Sequence, residues 1–592
     1  MTDTGADRKT AGENRSGSVC AFIIVITGIL LSCLTAIFGS DILPEYHDKL
    51  FHLRRLAALA QTLKSGYFPA RIYFVMNQGT GYAMPVFYPD FFLYFPAFLV
   101  NVSVPLGIAY DIYVIMVNAV TGIVTYLSVK EILKGEKIIS AVISFIYLLS
   151  VYRLTDVYIR DAAGEYTAMA FLPLVICCFI RIYRGKKKDG FTEVLKNSAL
   201  LGISMALLAV SHVLTTMMAA GFLAVCALIL FKKTFKKNVI LTLMLSVLIF
   251  FGLTAYVMYP MADYMLSDRY LVSESSNIMR GFYPGWRDLL EIIPSGSGSG
   301  IAYDNRMPTA VGPAVTAILA AWFVRTMLLM AGGRKSQDGD KKIPASISAE
   351  LILFVVTGLS LFISSKYFPW TYIEQNGGVL RSVFCSVQFS WRYIGPATVC
   401  ACVLGAYLIR DIKEASPKLS LVFIVMLLIL AVLPGVILQK RAISENGHAT
   451  IVRGEDIGIV SDELYFPVSW NREAEYAEYP EAVNCMVDSY ARNGGDWLVS
   501  VSGASEDASL TFPVVYYKGY VTVSGDGKKL DTLQSSDGRI RVLIPQGFSG
   551  ELKMGFRESA AWRIAEIISL ISIESVILIF TRRKKRRKEI SE

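Results

Sequence analysis

The chain has 592 residues, a net charge of +9, 54% hydrophobic residues and a mean hydropathy of +0.47. Apolar runs of about 20 residues, the length that crosses a bilayer, recur along it and exclude a soluble globular protein. Its lysines and arginines gather in short clusters beside those runs, where they act as topological signals, so the basic charge does not imply a nucleic-acid partner.

The first 18 residues are polar and are expected to form a disordered cytoplasmic tail, followed by a first span at 19–38. That run is too long for a signal peptide and has no small-residue cleavage site. Further apolar runs at 107–128, 138–152, 166–183, 194–210, 213–231, 238–258, 309–331, 350–366, 393–410, 419–438 and 563–581 bring the expected crossings to about twelve. The basic tail 582–592, which opens RRKKRRK, belongs in the cytoplasm by the positive-inside rule, and twelve crossings then place both termini there. The basic loops 130–137, 184–190, 232–237, 332–342 and 410–418 fall on the same side. Counting the piece 91–104 as a further span would put the first three of these clusters outside. It is short, holds Pro96 and ends at Pro105, so it reads as an interfacial helix with Phe91, Phe92, Tyr94, Phe95 and Phe98 in the headgroup belt.

On this threading 19–438 is a transmembrane domain whose large first outer loop, 39–106, is extracytoplasmic. The hydrophilic region 439–562 alternates LTFPVVYY, YVTVS, RIRVLIP and GELKMGF with turn signals at Gly525-Asp526-Gly527 and Ser536-Asp537-Gly538. The expected fold is therefore a polytopic α-helical membrane protein with a small extracytoplasmic β-rich domain before the last helix, 563–581. Of nine cysteines only Cys385 and Cys485 lie in polar regions, and no zinc spacing or disulfide framework is visible.

Candidate chemistry concentrates on the outer face. In HDKLFHLRR, Asp48, His52 and Arg55 stand at i, i+4 and i+7 on one helix face, with Leu50, Leu53, Ala57 and Ala60 on the other, suited to lying on the membrane. This offers an acid, a titratable imidazole and a phosphate-binding guanidinium to one point, although a solvated helix with an internal ion pair has the same pattern. Asp41 and Glu45 are further acids nearby. The turn-rich GYFPARIYFVMNQGTGYAMPVFYPD carries Tyr82 and Tyr88, which suit carbohydrate stacking and interfacial packing equally. In YRLTDVYIRDAAGEYTAMAFLPL, Arg160 and Glu165 read either as a structural pair or as part of a phosphate grip. His212 in VSHVLT sits on an outer turn, and Gln388, Trp391 and Arg392 in FCSVQFSWRYIGP precede a span directly.

HDKLFHLRR, GYFPARI, GTGYAMPVFYPDFFLYFPA, VYIRDAAGEYTAMAFLPL, SHVLT and VQFSWRY, with YYKGYVTVSGDGKKL ahead of the last span, together resemble bacterial YfhO-like membrane proteins, a branch of the GT-C superfamily of glycosyltransferases. Related sequences also carry the label "6-pyruvoyl-tetrahydropterin synthase related", and nothing in this chain supports pterin chemistry. The resemblance implies a GT-C-like fold in the bacterial plasma membrane and an inverting transfer at its outer surface. The implied donor is a polyprenyl-phosphate-linked sugar, and the implied acceptor a cell-envelope polymer such as lipoteichoic acid or another surface glycan. It also implies an acid of the first outer loop as catalytic base, best matched by Asp48 with Asp41 second. His52, Arg55, Tyr82, Tyr88, Arg160, Glu165, His212, Gln388, Trp391 and Arg392 would then bind substrate. There is no clear DxD triplet, so a divalent cation is left open and no metal ligands are assigned. Two other classes fit the same composition: a flippase or transporter of lipid-linked sugars, and an inert envelope scaffold whose β-domain binds wall polymer. A transporter is expected to carry ionisable groups at mid-membrane depth. Here the charges gather at the outer rim, with Glu566 and Glu574 in the last span as exceptions.

Overall fold

A computed structural model describes residues 4–39, 48–185, 190–274, 283–293, 307–331 and 345–445, then 460, 463–472, 474 and 476–591. Each apolar run read from the sequence is helical. Among the described residues, eight helices are long and apolar enough to cross a membrane, or nine when the bent pair Lys137–Leu148 and Val151–Tyr158 is taken as one span. Ser16–Ser32, Val213–Ile229 and Ala349–Ser364 are shorter apolar helices. The chain is thus a multi-pass helical membrane protein with a β-domain near its C-terminus. The first helix, Thr4–Ser32, reaches back through the stretch expected to be disordered and stops at Cys33, and Leu34–Phe38 continues after it.

The bundle is built around the helix Ile394–Ala415, buried from Ile394 to Ile409. Its Gly395, Ala397, Ala401, Gly405 and Ala406 keep its surface low, which lets neighbouring helices approach closely. A methyl group on Gly405 would collide with Ile318 of the helix Pro313–Ala331. The pair Lys137–Leu148 and Val151–Tyr158 bends by 48° at Leu149 and Ser150. Arg153, read from sequence as a loop residue, lies just past this bend, fully buried. Its Nη2 donates to Asn118 Oδ1 at 2.6 Å and Thr121 Oγ1 at 3.0 Å, which binds the second half to the helix Leu106–Ile132.

The first outer loop departs from expectation. The helix Lys49–Lys64 is not laid on a surface: every residue from His52 to Ala60 is buried. Leu53, Leu56 and Leu59 enter the core, while His52 bonds the Ala163 backbone and Arg55 bonds Asp90. In its neighbour, Tyr94–Asn101, Pro96 and Ala97 are buried while Phe95 and Phe98 are exposed. Asn101 Nδ2 donates to Ala60 O at 3.0 Å and joins the two helices.

The β-domain has nine strands: β1 Glu481–Val483, β2 Met486–Asn493, β3 Asp496–Ser502, β4 Ser509–Val515, β5 Tyr520–Ser524, β6 Lys529–Leu530, β7 Thr532–Gln534, β8 Arg539–Leu543 and β9 Gly550–Phe556. They form two antiparallel sheets, β1-β4-β8-β7 and β2-β3-β9-β5-β6. Alternation drives the packing: Trp497, Val499 and Val501 of β3 and Leu510 and Phe512 of β4 point into one core, with Trp497 edge-on to Phe512. The four strand-like motifs are β4, β5, β8 and β9, and the two turn signals close β5 to β6 and β7 to β8. The helix Pro417–Glu445 runs past the expected end at 438, and the first strand among the described residues is β1 at Glu481. Residues 446–459 lie outside the described residues.

This domain docks on the Gly- and Pro-punctuated half of the first outer loop. Val515 N donates to Thr80 O at 2.9 Å, and Arg492 Nη2 donates to Phe74 O at 3.0 Å and Gly79 O at 2.5 Å. Arg71 ties the loop to the last helix, Ala560–Ser591, donating to Glu558 at 2.7 Å and Glu566 at 2.9 Å. Glu566, an unexplained acid in the sequence, is thereby paired.

Candidate active site

Five separate segments meet beside the N-terminus of the helix Lys49–Lys64. Asp48 is its N-cap, and the Asp48 backbone N–H donates to Arg160 O at 3.0 Å. Arg160 follows the helix Val151–Tyr158, so Asp156 one turn earlier reaches its guanidinium at 3.0 Å. Glu165, on the short helix Ala163–Met169, accepts from Arg160 Nη1 at 2.6 Å and from Arg392 Nε at 3.0 Å, both at Oε2. Its Oε1 accepts from the Tyr152 hydroxyl at 2.7 Å. One carboxylate therefore holds two arginines, one of them 227 residues away in sequence. Phe389 supplies a face for both, with the Arg160 and Arg392 guanidinium carbons 5.3 and 5.0 Å from its ring centre. Arg392 Nη1 is completed by Val387 O at 2.7 Å and Gln388 Oε1 at 2.9 Å. Asp161 and Gln388 both take left-handed backbone, φ 55° and 67°, which is uncommon for residues other than glycine. Trp391, a candidate interfacial anchor, is buried and stacks on Phe389 at 4.4 Å.

The arginines differ in what they leave free. Arg55 is consumed by structure: Nε donates to Asp90 Oδ1 at 2.7 Å, Nη2 donates to Tyr88 O and Pro89 O, and the group lies over the Tyr88 ring at 3.9 Å. The Tyr73 hydroxyl donates to the other Asp90 oxygen at 2.5 Å. Arg55 thus fixes the loop. Arg160 keeps Nη2 without a hydrogen-bond partner, 4.0 Å from Asp48 Oδ2.

Both histidines are drawn in as neutral groups. His52 Nε2 accepts from the Ala163 backbone N–H at 3.2 Å, so a neutral ring carries its proton on Nδ1, which is buried without a partner. Burial first, then Arg55, Arg160 and His212, holds the His52 pKa well below the ordinary histidine value. His212 pairs with Thr215 at 2.8 Å, its ring is 6.0 Å from that of Tyr88, and burial with Arg392 nearby pushes it down to about 3. The Tyr88 hydroxyl accepts from Gly164 N–H at 3.1 Å. Any side chain at Gly164 would fall on that hydroxyl. Asp161, which accepts from the Tyr110 hydroxyl at 2.5 Å, is pushed up to about 6 by burial. A small cleft opens beside the cluster between Arg55, Tyr113, Ala163, Gly164, Thr167 and Ser211.

Asp48, His52, Tyr88, Arg160, Glu165, His212, Gln388, Trp391 and Arg392 are therefore brought together, and Arg55 stands behind them. Tyr82 is not among them: it is buried against Tyr465 and Phe466, and its hydroxyl accepts from Tyr465 N–H at 3.1 Å. Asp41 lies outside the described residues. Sequence reasoning passed over Asp90, Asp156, Tyr152 and Phe389. The i, i+4 spacing of Asp156 to Arg160 was a usable signal, whereas nothing local pairs Asp90 with Arg55. Among the described residues no three His, Cys, Asp or Glu side chains gather in a metal-binding arrangement.

No family model matches the chain. An uncharacterized protein of Lactococcus lactis subsp. cremoris (strain MG1363) is 25% identical over 114 residues, covering 19% of each chain. Among solved structures, the archaeal oligosaccharyltransferase AglB from Archaeoglobus fulgidus, in complex with an inhibitory peptide and a dolichol-phosphate, superposes with TM-score 0.39 at 12% identity, covering 73% of this chain and 56% of that one. Its apo form gives TM-score 0.39 at 13% identity, with 74% and 57% covered. The complex with Zn and sulfate gives 0.36 at 13%, with 73% and 54% covered. This chain thus spans about a fifth of the curated relative's length and just over half of each solved chain.

Proposed function

We propose that the protein is a membrane glycosyltransferase of GT-C type, moving a sugar from a polyprenyl-phosphate donor to an extracytoplasmic envelope acceptor such as a teichoic acid. One observation carries this reading. The Asp48 side chain is 46% exposed, against 1–2% for Asp90, Asp156 and Glu165, and it borders an arginine with an uncommitted N–H. Asp48 is thus the carboxylate of this cluster that an incoming hydroxyl can reach, and the buried guanidiniums are placed to meet an anion.

In the reaction so read, Asp48 takes the proton of the acceptor hydroxyl as its oxygen bonds to the anomeric carbon. The bond from that carbon to the phosphate oxygen breaks, and its electron pair leaves with the polyprenyl phosphate. Arg160 and Arg392, fixed in advance by Glu165, stabilise the charge that develops there. Attack from the face opposite the leaving group inverts the anomeric centre. The basic clusters favour twelve crossings, with both termini cytoplasmic and the site and β-domain outside. Asp41 is the second acid of the loop on this reading.

Purified protein incubated with radiolabelled undecaprenyl-phosphate sugars and envelope acceptors should yield labelled polymer. Asp48→Asn should lower the rate at least 100-fold, in line with the loss of a general base. Transfer that persists in Asp48→Asn, and also in Asp41→Asn, overturns the catalytic assignment.

A further inference from the structure

The last helix carries two acids inside or beside its apolar stretch, and the fold satisfies only one. Glu566 is held by Arg71 and by Arg563 at 2.9 Å each. Glu574 is exposed, two turns further along the apolar span Ala560–Thr581. At 1.5 Å per residue it lies about 10 Å inside the Thr581 end of that span, well within a hydrocarbon core about 30 Å thick. Its neighbours on the same helix face, Leu570, Ile571, Ile577 and Leu578, are all exposed and aliphatic. A lone carboxylate on such a surface is costly in lipid and persists where something pairs with it.

Among the described residues of the helices that pack here, no base is left to pair with Glu574. This helix packs on Lys237–Ser267 and Phe191–Ala209, and the contact is made by its other side, where Ser569 Oγ donates to Gly252 O and accepts from Tyr256 N–H. The bases of these three helices, up to Thr581, are Lys196, Lys237 and Arg563. Lys196 faces Glu193, Arg563 is paired with Glu558 and Glu566, and Lys237 opens its helix at one end. A second copy of this helix would bring a second carboxyl group against the first, and like charges repel.

We infer that the face around Glu574 receives a transmembrane helix of a different protein, one that presents a lysine or arginine at the depth of Glu574. The aliphatic residues on either side supply the packing surface, and the carboxylate fixes register and partner choice. Truncating the partner's base leaves a buried unpaired charge, so the pair discriminates strongly between helices of otherwise similar hydropathy. This inference stands apart from the catalytic reading, since Glu574 belongs to none of the site's segments.

The test places a photo-crosslinking amino acid at Ile571 or Ile577 of the full chain in its native membrane. The expected adduct joins one heterologous transmembrane segment, mapped by mass spectrometry, with a Lys or Arg within one turn of the cross-linked position. Glu574→Leu should lower its yield at least tenfold. Glu574→Lys combined with the reverse substitution in the partner should restore it. An unchanged thermal unfolding curve verifies that Glu574→Leu folds, and Glu574→Gln serves as a second variant of native shape. Adducts to lipid alone, adducts to a second copy of this chain, a partner segment without a base, or a yield unchanged in both variants each overturn the inference.

Discussion

At the scale of single residues, Gly164 is a tightly constrained position of the candidate site. Its N–H binds the Tyr88 hydroxyl, and the space a methyl group would need is filled by that hydroxyl. Gly164→Ala should therefore displace Tyr88 and destabilise by about 1–3 kcal/mol, as overpacking does. In Gly164→Ala/Tyr88→Phe the hydroxyl is gone and part of the loss should return, readable as non-additive thermal unfolding midpoints. The histidines set a pH dependence. With His212 near 3 in the fold and near 6.5 unfolded, the unfolded chain binds the extra proton between those values, so stability falls as pH drops below about 6.5. His52 acts in the same direction. Asp161, raised from 3.8 to about 6, acts oppositely between those values, because there the folded form holds the proton. Between these opposing contributions the two histidines outweigh the one carboxyl, so the three groups together lose stability as the medium is acidified. His212→Gln should flatten that slope in unfolding curves recorded in detergent from pH 4 to 7, and an unaltered slope would assign the acid sensitivity elsewhere.

At the scale of elements, Glu165 fastens the turn after Val151–Tyr158 to the start of Ile394–Ala415 by binding Arg160 and Arg392 together. Glu165→Leu leaves two buried guanidiniums short of a counter-ion, and the expected cost is about 3–5 kcal/mol by the precedent of broken buried pairs. Differential scanning of the purified variant measures it, and a loss below about 1 kcal/mol would mean that the arginines find other partners. Helix existence was legible from the twelve apolar runs, because hydropathy over 20 residues is a local property. The burial of Lys49–Lys64 was not. Its composition suits an interfacial helix, and only the polar partners supplied by Asp90, Ala163 and the residues around Arg160 make an interior place tolerable. The strands β4, β5, β8 and β9 were legible because they alternate cleanly, while β2, exposed along most of its length, gave no such signal.

At the scale of the whole molecule, the β-domain and the first outer loop form one body. Tyr67, Phe74 and Gly79 of the turn-rich loop meet the β-domain, and Tyr82, readable from sequence as either a glycan-stacking or a packing residue, meets the segment that leads into it. From there a short path returns to the candidate site, through the Tyr73 hydroxyl to Asp90 and from Asp90 to Arg55, one turn after His52. Arg71 adds a second clamp to the last helix. Arg71→Ala combined with Arg492→Ala should loosen this dock and accelerate limited proteolysis between the β-domain and the bundle several-fold. Cleavage at the wild-type rate would show that the aromatic contacts suffice.

The sequence alone determined that the chain crosses a membrane many times, that a β-rich domain precedes the last helix, and that acids, arginines and histidines concentrate in a few connections. These are properties of short windows, set by the cost of placing polar groups in lipid and by the two-residue period of a strand. Only the tertiary structure decided which of those residues meet. It assigned Arg55 to Asp90, gave Glu165 two arginines, sent Tyr82 to the β-domain and left Asp48 as the exposed carboxylate of the cluster. The physical reason is that a buried charge requires a partner, and partners that lie 35 or 227 residues away are chosen by packing, which no local window contains.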